Sequence, residues 1–112
     1  MKTFMALYLG SASPQARGAF RRSDQLAVGM EAWMKWGERH GANIVDEGGP
    51  LGPTKRVSAH GISDTSNQVT GYVIVRAETH EAAARMFGEH PHFTIFPGDA
   101  VEVMECLPIP NT

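Results

Sequence analysis

At 112 residues the chain has room for one compact domain with a single core, and residues 1–112 are read as that one domain. Ten basic against twelve acidic side chains leave no broad electrostatic surface for nucleic acid or anionic lipid. A single cysteine, Cys106, excludes an intrachain disulfide and a multi-cysteine zinc site, and fits a reducing, cytoplasmic compartment.

Thr3 to Leu9 alternates Met5, Leu7 and Leu9 with Phe4, Ala6 and Tyr8, so both faces are apolar and the segment reads as a central strand. The opening MKTFMALYLGSAS also imitates a short secretory signal. Its single lysine and short apolar run favour the strand. No run approaches the roughly 20 apolar residues of a membrane helix, so no membrane partner is expected.

Gly10 to Arg22 lacks periodicity and is expected to be a loop. Its Arg17, Arg21 and Arg22 read as solvated charge in preference to a phosphate clamp. Ser23 or Asp24 caps a predicted helix running to about His40, with Gly41 as its left-handed stop. Leu26, Gly29, Met30, Trp33, Trp36, Gly37 and His40 share one face of that helix, and Gly37 within the stripe predicts a close approach to a strand.

Asn43 to Glu47 is a short strand broken by Gly48, Gly49 and Pro50. Thr54 to His60 is another, followed by the turn-like GISDTSN, and together they predict a hairpin excursion at a sheet edge. Val69 to Ala77 is the second strongly apolar strand, with Val73 and Val75 on one face and Tyr72 and Ile74 on the other. Thr79 caps a second helix that Pro91 is expected to end at Glu89 or His90, and a last strand covers Val101 to Leu107.

This order, strand, helix, strand, excursion, strand, helix, strand, is the split βαβ pattern of an α+β ferredoxin-like fold, βαββαβ with an extra edge hairpin. Two helices cover one face of a four-stranded sheet. The central strands are apolar on both, so a homodimer through the uncovered sheet face is expected.

The stretches GANIVDEGGPLGP, VTGYVIVRAETHEAAARMF, HPHF and GDAVEVMECLPI resemble the YCII-related (DGPF-type) family over Lys2 to Ile109. The resemblance implies a dimeric α/β barrel, two ferredoxin-like protomers packed sheet to sheet with a cleft in each. It does not carry over a catalytic role. The histidine that such proteins bear in the first helix falls near Met30 here, the aspartate before the proline is His90, and the DGPF tetrapeptide is absent.

The residues themselves raise three kinds of chemistry. His90 and His92 flank Pro91, and no zinc-ligand spacing accompanies them, so neither a metal nor a cofactor is expected. Tyr8, Trp33, Trp36 and Tyr72 suit the walls of a small-molecule pocket and equally suit plain core packing. Asp46, beside a glycine turn, is either a general base or a carboxylate facing water, and Cys106 reads as an inert core thiol. EHPHF is first a helix stop, with His90 on the helix C-terminus. His90 also continues the apolar stripe of Ala83, Met86 and Phe87, which makes it the candidate catalytic group, and His92 is expected exposed or at the rim of the same opening. Two functions follow: a small-organic-ligand domain, enzymatic or not, using a cleft lined by Tyr8, Trp33, Asp46, Tyr72 and His92 near His90, or a non-catalytic accessory protein acting through its dimer surface.

Overall fold

The computed structural model describes residues 1–110. Four antiparallel strands form the main sheet: β1 (Lys2–Leu9), β2 (Ile44–Pro50), β5 (Val69–Ala77) and β6 (Ala100–Glu105), in the order β2-β5-β1-β6. That is the ferredoxin-like order, with the two strands richest in apolar residues at its centre. Register places Phe4, Ala6 and Tyr8 of β1 beside Val75, Val73 and Gly71 of β5 and beside Glu105, Val103 and Val101 of β6. Paired residues share a face, so this one carries the core. Phe4, Ala6, Tyr8, Val73, Val75 and Ala77 are buried there with Trp36, Ala83 and Phe87 of the helical layer. Thr3, Met5, Leu7 and Leu9 occupy the opposite face with Tyr72 and Ile74, only half covered by their own chain.

Three departures from the sequence reading bear on the site. First, Gly10 to Arg22 is not all loop: α1 (Pro14–Arg21) forms there. Ser13 Oγ caps it by accepting from the Ala16 N–H at 3.1 Å, and Pro14 occupies the first turn, where its missing N–H costs nothing. Ser-Pro was the available signal, hidden by Gly18 and the arginines. α1 seats Phe20 on Phe96, ring centroids 4.8 Å apart, and Arg17 reaches the Gly10 carbonyl.

Second, α2 (Gln25–Arg39) runs as expected, but Gly41 is not a left-handed stop. It opens a tight turn, Gly41–Asn43, and the left-handed glycines are Gly48 and Gly61. Gly48, at φ +63, lets β2 pass so close to β5 that a Cβ would lie 1.9 Å from the Tyr72 carbonyl oxygen. β2 therefore bulges through the glycines to Pro50 instead of ending at Glu47.

Third, the excursion is a hairpin of β3 (Thr54–Ser58) and β4 (Gly61–Thr65), the latter built from residues expected to be a turn. These strands pair only with each other, and Val57 and Ile62, opposite one another, remain exposed. The arm stands clear of the body. It helps explain a radius of gyration of 15.8 Å, where a compact chain of this length has about 13 Å. Cys106, expected in the core, lies just past β6 and is exposed.

The glycines of α2 are opposites. A Cβ on Gly29 would meet Phe96 at 2.6 Å, whereas one on Gly37 meets nothing within 4 Å, so the close approach expected at Gly37 occurs at Gly29. Urea denaturation should therefore separate them: Gly37→Ala gains up to about 1 kcal/mol in helix propensity, and Gly29→Ala falls below it by roughly 1–3 kcal/mol from overpacking. Equal midpoints would contradict this packing.

Candidate functional site

The segment after β5 positions the histidines. α3 (His80–Arg85) begins under a Thr79 cap, whose Oγ1 accepts from the Ala82 N–H at 3.0 Å, and is shorter than expected. Beyond Arg85 the chain tightens into successive i to i−3 turns, and Glu89 reverses it at φ 58. His90 is extended, φ −61 and ψ 140, as a residue before proline prefers. Pro91 then begins α4 (Pro91–Thr94). EHPHF is thus a helix start more than a helix stop, with His90 the N-cap and Pro91 in the first turn.

That placement fixes the chemistry of His90. Its Nδ1 accepts from the His92 backbone N–H at 2.9 Å, so the ring proton resides on Nε2, which donates to the Tyr8 hydroxyl oxygen over a long 3.4 Å. The expectation of His90 on a helix C-terminus is overturned: it stands at a helix start. Burial, with the nearby His92 and His40 adding to it, pushes the His90 pKa down to about 3. The ring is fully buried and surrounded by aromatics, with Trp33, Trp36 and Tyr8 centroids at 4.5, 4.7 and 5.2 Å.

His92, expected at the surface, is buried as well. Its Nε2–H donates to the Leu9 carbonyl at 2.8 Å, and Leu9 also accepts from the Asp99 N–H at 2.9 Å. Gly98 makes room for this ring: a Cβ there would fall 2.3 Å from it. Sequence alone carried little sign of this, because the ring's partner lies 83 residues away.

A cavity of about 660 Å³ opens between α2 and the β2–β5 edge of the sheet, within the range of small-molecule sites. Tyr8, Trp33, Trp36, His92 and Phe96 supply its aromatic wall, and Met30, Met34 and Gly37 its α2 side. Gly49, Pro50, Gly71 and Tyr72 line it from the strands. Of the residues named from sequence, Tyr8, Trp33, Tyr72 and His92 meet here. His90 sits directly behind Tyr8 and the tryptophans, not on the wall. Asp46 does not reach the cavity: it is exposed, and its Oδ1 accepts from the Gly48 N–H at 2.8 Å, tying the bulge. Trp36 is a wall residue and a fastener, its Nε1–H donating to the Met86 carbonyl at 2.7 Å. Sequence reasoning missed Met30 and Met34 as cavity residues and Phe96 as the ring closing the far end. The available signal was two methionines one turn apart on α2, with Met30 in its apolar stripe.

Tyr8 stays protonated, because burial raises its pKa well above the ordinary phenol value. Glu38 and Glu47 are the carboxylates on the wall, and neither lysine nor arginine lines it. A separate hollow of about 400 Å³ lies between α3 and β6, against His80 and Phe93, and includes neither Tyr8 nor His92. Among the described residues, no three His, Cys, Asp or Glu side chains gather as metal ligands would. Nor is any helix among them long and apolar enough to cross a membrane.

No family model matches the chain, and no curated protein does. Among solved structures it is similar to 5-chloro-2-hydroxyhydroquinone dehydrochlorinase (TftG) from Burkholderia phenoliruptrix AC1100 in complex with 2,5-dihydroxybenzoquinone. The TM-score is 0.52 at 16% identity, over 90% of this chain and 89% of that one. The likeness supports the fold that the strand order shows: α+β and ferredoxin-like.

Burying a neutral His90 has a thermodynamic sign. The unfolded ring takes a proton near pH 6.5 and the folded ring only near 3, so its contribution is whole above about pH 6.5 and is lost as pH falls towards 3. Wild-type stability should drop by about 1 kcal/mol per pH unit more than that of His90→Asn across this window, read by urea midpoints. Parallel curves would refute a buried neutral His90.

Proposed function

We propose that the protein binds a small, flat organic ligand in the cavity between α2 and the sheet. The observation that carries this reading is a single buried chain, His92 N–H to His90 to Tyr8, ending at the wall of an aromatic cavity large enough for such a molecule. A tyrosine packed only as core needs no such relay behind it. Tyr8, Trp33 and His92 are the ligand-contacting residues of this reading, Tyr72 borders the cavity from β5 while its side chain belongs to the opposite sheet face, and His90 is the buried group through which the site would act on a ligand. Asp46 serves the β2 bulge instead. TftG, a protein of the same fold, was solved with a quinone bound, which supports a flat ligand without naming this chain's own. A kinship with YCII-related proteins accords with the fold and the sequence stretches quoted above. Whether the bound molecule is transformed separates an enzyme from a binding protein, and the buried relay favours the ligand site over a purely accessory role.

The protein's two tryptophans both line the cavity. Fluorenone should therefore quench intrinsic fluorescence saturably. Gly37→Phe, which projects a ring from the α2 wall into open space, should weaken that quenching at least tenfold while the protein stays folded. Unaltered quenching in this variant would place the ligand elsewhere.

The same reading makes the protein a homodimer through the sheet face that bears Met5, Leu7, Leu9, Tyr72 and Ile74. Exposed together on a monomer, these side chains would form an apolar patch of the kind soluble monomers avoid. Light scattering at micromolar concentration should give twice the chain mass, and Leu7→Lys should halve it. A wild-type monomer would end the dimer proposal.

A further inference from the structure

We propose that the cavity selects neutral, flat carbonyl compounds, whose C=O oxygen accepts the Tyr8 hydroxyl proton, and that His90 is the positioning residue that aims this hydroxyl. The inference rests on the ligand-binding reading of the same cavity and adds the chemical class that the site recognises.

A backbone amide N–H can only donate. The His92 N–H points at His90 Nδ1 from 2.9 Å, so that nitrogen carries a lone pair and Nε2 carries the ring proton. Nε2 faces the Tyr8 hydroxyl oxygen at 3.4 Å. Tyr8 is consequently the acceptor in that contact, and its own proton must point elsewhere. Among the described residues no acceptor takes it, and Tyr8 lies on the cavity wall. The relay therefore runs one way, from the α4 backbone outward, and ends in an O–H donor.

His92, the other polar ring beside Tyr8 at a centroid distance of 5.1 Å, spends its Nε2–H on the Leu9 carbonyl. It does not give an anion a second N–H from that nitrogen. The charged groups on the wall are Glu38 and Glu47, of one sign and with no lysine or arginine among the lining residues. A carboxylate or phosphate would meet repulsion at the rim and a single donor inside, and an ammonium would find a donor where it needs an acceptor. A neutral carbonyl oxygen matches both facts.

Shape narrows the class further. Trp33 stands edge-on to His90 and Phe96, at interplanar angles of 88° to each, and Gly71 opposes Tyr8 with backbone alone, since a Cβ there would sit 3.4 Å from the Tyr8 ring. The Tyr8 ring lies against that backbone, so the cavity is walled by aromatic rings and bare strand, suited to a fused aromatic ketone or an enone.

Three probes of similar size test the assignment: fluorenone, its hydrocarbon fluorene, and a naphthoate anion, each titrated against tryptophan fluorescence. Fluorenone should bind roughly tenfold more tightly than either, as one added hydrogen bond of about 1.4 kcal/mol gives. Its carbonyl stretch, recorded by infrared difference spectroscopy, should move to lower frequency when bound. Tyr8→Phe should abolish both the shift and the preference over fluorene. His90→Asn retains an oxygen at the Nδ1 position for the His92 N–H but is too short to reach Tyr8, so the shift should shrink. His90→Gln, long enough to offer an amide N–H to Tyr8, should restore it. A bound carbonyl band that does not move in the wild type, or naphthoate binding as tight as fluorenone, overturns the assignment while leaving the cavity a ligand site. A band in His90→Asn identical to wild type overturns the positioning role. If none of the three binds saturably, the ligand-binding reading falls and takes this one with it.

Discussion

The site depends on one hydrogen bond, from the His92 backbone N–H to His90 Nδ1. It closes the first turn of α4, satisfying an amide that would otherwise be orphaned in a buried place. It also fixes the His90 tautomer and thereby decides which of Tyr8 and His90 donates. An imidazole with no solvent access is tolerable only if its polar atoms are engaged, and here both nitrogens are, one by the backbone and one by the phenol. Protonating the ring would break the hydrogen bond that Nδ1 accepts from the His92 N–H and place a charge among four aromatic rings, which is why burial holds its pKa so low.

The space in front of that relay is made by side chains that are missing as much as by those present. Gly37 on α2 and Gly49 on β2 have no neighbour where a Cβ would stand, and both lie on the cavity wall. Elsewhere glycine does the reverse. Gly29 admits Phe96, Gly98 admits His92, and Gly48 admits the backbone of β5, each at a distance no side chain would allow. Close packing around the rim is what keeps the interior open: helix α2 is held by Gly29 against Phe96 at one end and by the Trp36 to Met86 hydrogen bond further along, so the cavity between these fixings does not collapse.

The rest of the chain has unfinished surfaces of two kinds. The open sheet face presents alternating apolar residues from the two central strands, which in this architecture demand a second layer. The β3–β4 arm makes its own ladder and buries almost nothing, although a lone hairpin in water is marginal. Its Val57 and Ile62 pair and the Lys55 to Asp64 ion pair hold the two strands in register without anchoring them to the body.

The sequence by itself determined what period and local bonding determine. Val69 to Ala77 was read to its ends, because nine residues of alternating apolar character permit little else, and β1 was recognised as central for the same reason. From those two strands and the intervening helix pattern came the split βαβ order. The bias of Pro91 against helical geometry at His90 was legible, since that is a clash between neighbouring residues, although the helix expected to run to Glu89 or His90 ends at Arg85. What Pro91 did next was not local. A proline that ends one helix and a proline that begins another look alike until the chain beyond it finds partners, and these were Leu9 for the His92 ring and Phe20 and Trp33 for Phe96. The tertiary structure alone decided that His90 lies behind the wall and not upon it, that His92 is buried, and that Gly29 rather than Gly37 is the close contact. Each is a matter of which surface faces the other across tens of residues of chain, and a helical wheel shows the direction a side chain takes without showing what it meets.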